Sequence, residues 1–132
     1  MGRRSTALLV ALVAIAGCGG DDEKDANQTV RDFVKATNER DADRFCDDLV
    51  TQEFLEESTG AKGDRAKSAC KQQFKALRAV KIRLLKIRST QIDGDKAAVT
   101  ATIETAPNQP QPRVFRLTKQ GGDWRLAGGS GG

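Results

Sequence analysis

Histidine and tyrosine are absent from this chain, and methionine, tryptophan and proline are scarce, at one, one and three copies. Histidine is the side chain whose proton comes and goes near neutral pH and the most versatile zinc ligand. Its absence removes the commonest routes to general acid–base catalysis and to zinc chemistry. No glycine-rich phosphate loop and no metal-ligand spacing takes its place, so neither a cofactor nor a metal is expected. A strong excess of one charge is also lacking. There are 22 Lys and Arg against 18 Asp and Glu, and two of the cations, Arg3 and Arg4, precede the first globular segment, leaving +2 for the rest. A nucleic-acid-binding face concentrates a much larger excess, so no nucleic-acid partner is expected. Long apolar runs are missing except for one, Ala7 to Ala16 (ALLVALVAIA).

That run follows Met-Gly-Arg-Arg-Ser-Thr and precedes Gly17-Cys18, the order basic, apolar, small. Ten helical residues span only ~15 Å, about half the hydrocarbon thickness of a bilayer, which suits the core of a signal peptide and not a stable transmembrane helix. Ile15-Ala16-Gly17-Cys18 resembles the lipobox of bacterial lipoproteins. The resemblance implies cleavage before Cys18, a diacylglyceryl group on its sulfur, and residence outside the cytoplasm, anchored by lipid to the cell membrane. Residues 1–17 are then a lipoprotein signal peptide. Residues 18–24, glycine-led and polar, are expected to act as a lipidated tether that holds the domain close to the membrane.

With Cys18 committed to lipid, Cys46 and Cys70 remain, an even pair in a protein folding in an oxidising compartment. A structural disulfide is the expectation; a redox-active thiol would call for a CxxC spacing or a histidine partner.

Along 25–127 the apolar period is first that of helices. Val30, Phe33 and Val34 share one face; Asp41 can cap a second helix carrying Phe45, Cys46 and Leu49; Thr51 can cap a short third piece with Phe54 and Leu55, ended by Gly60; and Asp64 can cap a helix with Ala66, Cys70 and Phe74. From Val80 the period becomes 2. Val80, Ile82 and Leu84 alternate with cations, and the apolar parity then switches at Leu84-Leu85, which predicts a bulge in a bent strand. Asp93-Gly94 predicts a hairpin into Lys96–Glu104, a proline-rich loop precedes a third strand at Arg113–Lys119, and Gly121-Gly122 turns it into a fourth at Trp124–Ala127. Residues 128–132, Gly-Gly-Ser-Gly-Gly, are expected to form a flexible tail.

The whole predicts one α+β domain, three to four N-terminal helices packed on a curved four-stranded antiparallel sheet. Helix one with Val30, Phe33 and Val34, the break at Asp41, and the closing hairpin Arg116 to Leu126 make 25–127 resemble the nuclear transport factor two-like superfamily, in which helices fill the mouth of a bent sheet to form a cone. Enzymes of that superfamily set a carboxylate beside Tyr or His, and this chain has neither partner. Its acids at Asp32, Asp47, Asp48, Glu56 and Glu57 fall on polar helix faces. The expected function is therefore a non-catalytic, lipid-anchored envelope protein that binds a ligand or partner; a small isomerase or dehydratase is the alternative, and a purely structural envelope protein comes third. An apolar small molecule in the cone would meet Phe33, Phe54, Phe74, Leu85 and Trp124, but in a domain this small, with few large residues, the favoured expectation is that these side chains fill the core. The outer sheet face, with Lys81, Arg83, Lys86, Arg88, Thr100, Thr102, Arg116 and Arg125, is expected to be basic, open to anionic lipid or an acidic envelope component, and unfavourable for sheet-to-sheet pairing, so that a monomer is expected.

Overall fold

The computed structural model describes residues 19–131. The leader 1–17, the lipobox Ile15-Ala16-Gly17-Cys18 with the lipidation residue Cys18, and Gly132 lie outside the described residues. The described chain is an α+β arrangement, helices first and an open antiparallel sheet after them.

Helix α1 (Gly19–Glu39) begins earlier than the apolar pattern indicates, so Gly19–Lys24 is helical and not an extended tether. Two effects extend it. Asp21 and Asp22 sit in the first turn, where the helix dipole favours carboxylates, and Asp22 Oδ1 accepts a hydrogen bond from Lys119 Nζ on the sheet at 3.0 Å. Ala26, Val30 and Val34 form the buried stripe of α1. The helix stops at Arg40, a non-glycine residue at φ 57°.

Asp41 then caps α2 (Ala42–Arg44), its carboxylate accepting from the Arg44 N–H at 3.1 Å, and the chain continues as a π-helical turn, Phe45–Leu49. Thr51 caps α3 (Gln52–Thr59), and Gly60, at φ 75°, ends it. Both caps match expectation. Helix α4 (Asp64–Ala76) differs at its start: Gly63 holds the cap position and Asp64 is the first helical residue. Gly63 sits at φ 58° and ψ −135°, a conformation that side chains with a Cβ resist.

Strands β1 (Ile82–Asp93), β2 (Lys96–Thr105), β3 (Gln111–Gln120) and β4 (Asp123–Gly131) form a meander in the order β1-β2-β3-β4. The last turn uses Gly121 and Gly122, both at positive φ, as a two-residue hairpin loop demands. The start of β1 is tied to the end of α1 by the Asn38 amide, which donates to the Ile82 carbonyl and accepts from the Ile82 N–H, both at 2.7 Å. The expected bulge is present: Leu84 faces Ile103 and Lys86 faces Thr102, leaving Leu85 as the extra residue. A second bulge, at Arg88, follows between Ile87 and Ser89. With two switches of parity, Leu84, Ile87, Thr90 and Ile92 all sit opposite inward-facing residues of β2.

Gly128–Gly131 belongs to β4 and pairs with Arg113–Arg116, in place of the expected flexible tail. The ladder needs only backbone N–H and C=O groups, and β3 extends far enough to supply their partners.

The sheet's inner face is filled. Ala97, Val99 and Ala101 of β2, Phe115 and Leu117 of β3, and Trp124 and Leu126 of β4 pack against α1. The Thr29 hydroxyl of α1 donates to the Trp124 carbonyl at 3.0 Å, closing the layer at β4. Among the described residues the buried apolar side chains and both half-cystines fall between Ala26 and Leu126, so residues 19–132 keep all of the described core.

Candidate functional site

An apolar cavity lies among the helices. It is a groove of about 290 Å3 to which α1 contributes Phe33 and Thr37, the π-helical turn Phe45, α3 Phe54, and α4 Cys70 and Phe74, with Leu77 at its end. Phe33, Phe54 and Phe74 all line this groove, whereas the expectation set them in a cone with Leu85 and Trp124. Leu85 and Trp124 do not line it. Leu85 is the bulged residue of β1 and stands 42% exposed, because a residue left over in a bulge is not obliged to follow the inward parity. Trp124 faces inward on β4, only 4% exposed, in the part of the sheet that α1 covers.

Phe45 is the wall that sequence reasoning left out of the pocket. Its ring centroid lies 4.9 Å from that of Phe74 and 5.7 Å from that of Phe33, both in tilted contact. Phe45 opens the π-helical turn, and its ring meets Phe33 of α1 and Phe74 of α4. That turn is clamped from the next residue. Cys46 and Cys70 form a disulfide with their Cα atoms 6.0 Å apart, joining the turn to α4. The expected bridge therefore fixes one wall of the groove against the other. None of the lining residues carries a charge.

Outside this groove, three cations and a carboxylate tie neighbouring elements together. Lys71 of α4 reaches Asp47 Oδ2 at 2.9 Å and Asp43 Oδ1 at 3.4 Å. The hydrogen bond from Lys71 to Asp47, with Asp43 behind it, holds the ammonium pKa above its ordinary value. Arg125 of β4 donates to the Asp47 carbonyl at 2.7 Å, so it belongs to the helix–sheet junction and not to the free outer face. Lys119 is likewise held up in pKa by its hydrogen bond to Asp22, and its Nζ lies 5.7 Å from the centre of the Trp124 ring. Glu56 spans the α3–α4 connection: Oε2 accepts from the Gly63 N–H at 2.9 Å and from Gln52 Nε2 at 3.1 Å, while Lys62 lies 3.8 Å from Oε1.

The Gly63 N–H first, then the Gln52 amide and the Lys62 charge, hold the Glu56 carboxyl below its ordinary pKa of 4.5. A carboxylate whose folded pKa is depressed stabilises the fold above its unfolded pKa and loses that contribution as pH falls through the folded value. Thermal melts taken from about pH 6 down to about pH 3 should therefore decline more steeply for the parent than for Glu56→Gln. Parallel curves would show that the clasp adds nothing.

Asp32, Asp47 and Asp48, which read as separate solvated residues, are gathered with Asp25, Asp41, Asp43 and Asp123 around an open cleft of about 690 Å3 beside Arg44 and Arg125. Arg44 pairs with Asp32 at 3.1 Å. Among the described residues no group of three Asp, Glu or Cys side chains is placed to hold a metal ion. Glu56 and Glu57 lie apart from this cleft, on α3. Lys81, Arg83, Lys86 and Arg88 are exposed, as is Arg116; Arg83 comes within 3.9 Å of Glu104 across the β1–β2 pair. No helix among the described residues is long and apolar enough to cross a membrane.

No protein-family model matches the chain, and no curated protein matches it.

Proposed function

We propose that this chain is a lipid-anchored cell-envelope protein, with Cys18 as the lipidated residue, whose nuclear transport factor two-like domain binds an apolar ligand between its helices without catalysing a reaction on it. The observation that carries the binding role is the groove itself: four phenylalanines from four separate segments surround a space with no charged side chain in its lining. Uncharged aromatic walls held by a covalent clamp suit a guest that is apolar along its length. The helices-first order and the meander support the superfamily assignment, and the filled inner face of the sheet is the reason the ligand is assigned to the helix layer.

Lipid on Cys18 would sit one residue before the first turn of α1. That helix is 21 residues long, about 30 Å at 1.5 Å per residue, and its far end at Asn38 adjoins Ile82, close to the mouth of the groove. An anchored domain could therefore stand with its groove open to the aqueous side. Alternatively it could lie along the bilayer on Lys81, Arg83, Lys86 and Arg88, and the exposure of all four favours contact with an anionic surface as a second reading.

The direct test uses residues 19–132 and the neutral fluorophore N-phenyl-1-naphthylamine. Emission should rise saturably with protein, and Phe74→Asp, which sets a carboxylate in the wall, should weaken binding at least about tenfold while the melting curve stays cooperative. Absence of saturable enhancement, or equal binding by a folded Phe74→Asp protein, would remove the groove from consideration. Trp124 emission is unsuited as the reporter, since this residue lies outside the groove.

A further inference from the structure

The mouth of the groove has a chemistry different from its interior. A second cavity, of about 330 Å3, is lined by Thr37, Arg40, Phe74, Leu77, Arg78 and Val80. It shares Thr37, Phe74 and Leu77 with the phenylalanine-lined groove, so the two adjoin at these side chains. Two guanidinium groups stand at this end. Arg40 is fixed there, its Nη2 donating to the Lys75 carbonyl at 3.1 Å and to the Leu77 carbonyl at 2.8 Å. Arg78 is exposed and has no ion-pair partner among the described residues. Between them Leu77 is 63% exposed and Val80 41% exposed, two of the three large apolar side chains that the described fold leaves in water. Arg40 and Arg78 are the charged residues lining this cavity, and no Asp or Glu lines it. Glu39, the neighbouring carboxylate in sequence, is exposed and does not line the mouth.

We infer that the ligand is a single-chain anionic amphiphile of the fatty-acid type, its acyl chain along the phenylalanine groove and its carboxylate at Arg78 and Arg40. This rests on the groove reading above and adds the head group to it. A carboxylate suits the planar fork of a guanidinium, which donates two parallel N–H groups to one anion. The chain would cover Leu77 and Val80 as it leaves the interior. Arg78 is the specificity residue, because Arg40 also holds the end of α4 and cannot be changed without disturbing it.

Displacement of bound N-phenyl-1-naphthylamine from residues 19–132 tests this with two competitors below their micellar concentrations, laurate and dodecanol, which share a twelve-carbon chain. Laurate should displace the probe at least about tenfold more effectively, and added salt should weaken laurate alone. Arg78→Gln should bring laurate to the level of dodecanol and leave dodecanol unchanged. Equal displacement by the two in the parent, or an equal loss of both in Arg78→Gln, overturns the head-group assignment and leaves an apolar groove. Failure of both to displace a bound probe overturns the groove reading and the head-group assignment with it.

Discussion

Reduction of the Cys46–Cys70 bridge should lower the stability of the domain by about 3.5 kcal/mol and release the ligand with it. The loop closed by the bridge has a sequence separation of 24. Restricting such a loop in the unfolded chain stabilises the native state by roughly 3 to 4 kcal/mol in the chain-entropy description. Domains of this size keep a net stability of only about 5–15 kcal/mol, so the loss is a large fraction of the total. The bridge also has a local role. Phe45 precedes Cys46, and Cys70 itself lines the groove opposite it, so breaking the bond frees one aromatic wall from the other. Chemical denaturation of residues 19–132 with and without reductant, alongside Cys46→Ala/Cys70→Ala, measures the first effect, and probe binding under the same conditions measures the second. A midpoint unchanged by reductant would refute the structural role of the bridge. A lower midpoint with undiminished probe affinity would refute its control of the groove.

The largest effect is expected on location. In a bacterial host that processes lipoproteins, Cys18→Ser should move the protein from the membrane fraction almost entirely to unprocessed or soluble forms. Two acyl chains hold a protein far more firmly than one, at roughly 0.8 kcal/mol for each buried methylene, and no helix among the described residues offers a substitute anchor. Fractionation with mass measurement of the mature N-terminus checks this. An equal membrane share for the Cys18→Ser protein, with normal cleavage, would exclude the lipid anchor and the envelope location that goes with it.

The layer order, the caps at Asp41, Thr51 and Gly60, the bulge at Leu85 and the Cys46–Cys70 pair were legible because each follows from a local rule of period, capping or redox context. Other features depend on partners remote in sequence. The first turn of α1 forms over residues that look like a tether because Lys119, 97 positions away, holds Asp22. The second bulge of β1 is marked by Arg88, whose polarity hides a change of parity that an apolar residue such as Leu85 reveals. Gly128–Gly131 has no side-chain pattern at all, and only the length of β3 makes it a strand. For the candidate site, helical spacing put Phe33, Phe54 and Phe74 on inward faces, and it is the packing of four helical segments that makes them neighbours. Phe45 lies on the three-four face read for helix two, but that local spacing does not say that its ring meets Phe33 and Phe74. Leu85 does not line the groove because it is the bulged, exposed residue of β1, and Trp124 does not because it is buried in the core on β4.

An open four-stranded sheet has two raw margins, and a crowded surface invites neighbouring copies to zip onto them. Here each margin is closed differently. Val50 and Thr51 lie against β4, the Thr51 N–H donating to the Leu126 carbonyl at 2.9 Å, which blocks part of that rim. Along β1 the two leftover residues, Leu85 and Arg88, break the even spacing of free N–H and C=O groups, and the exposed cations Arg83, Lys86 and Arg88 repel an identical strand. Copies held side by side at high local density would thus stay separate instead of polymerising into continuous ribbons.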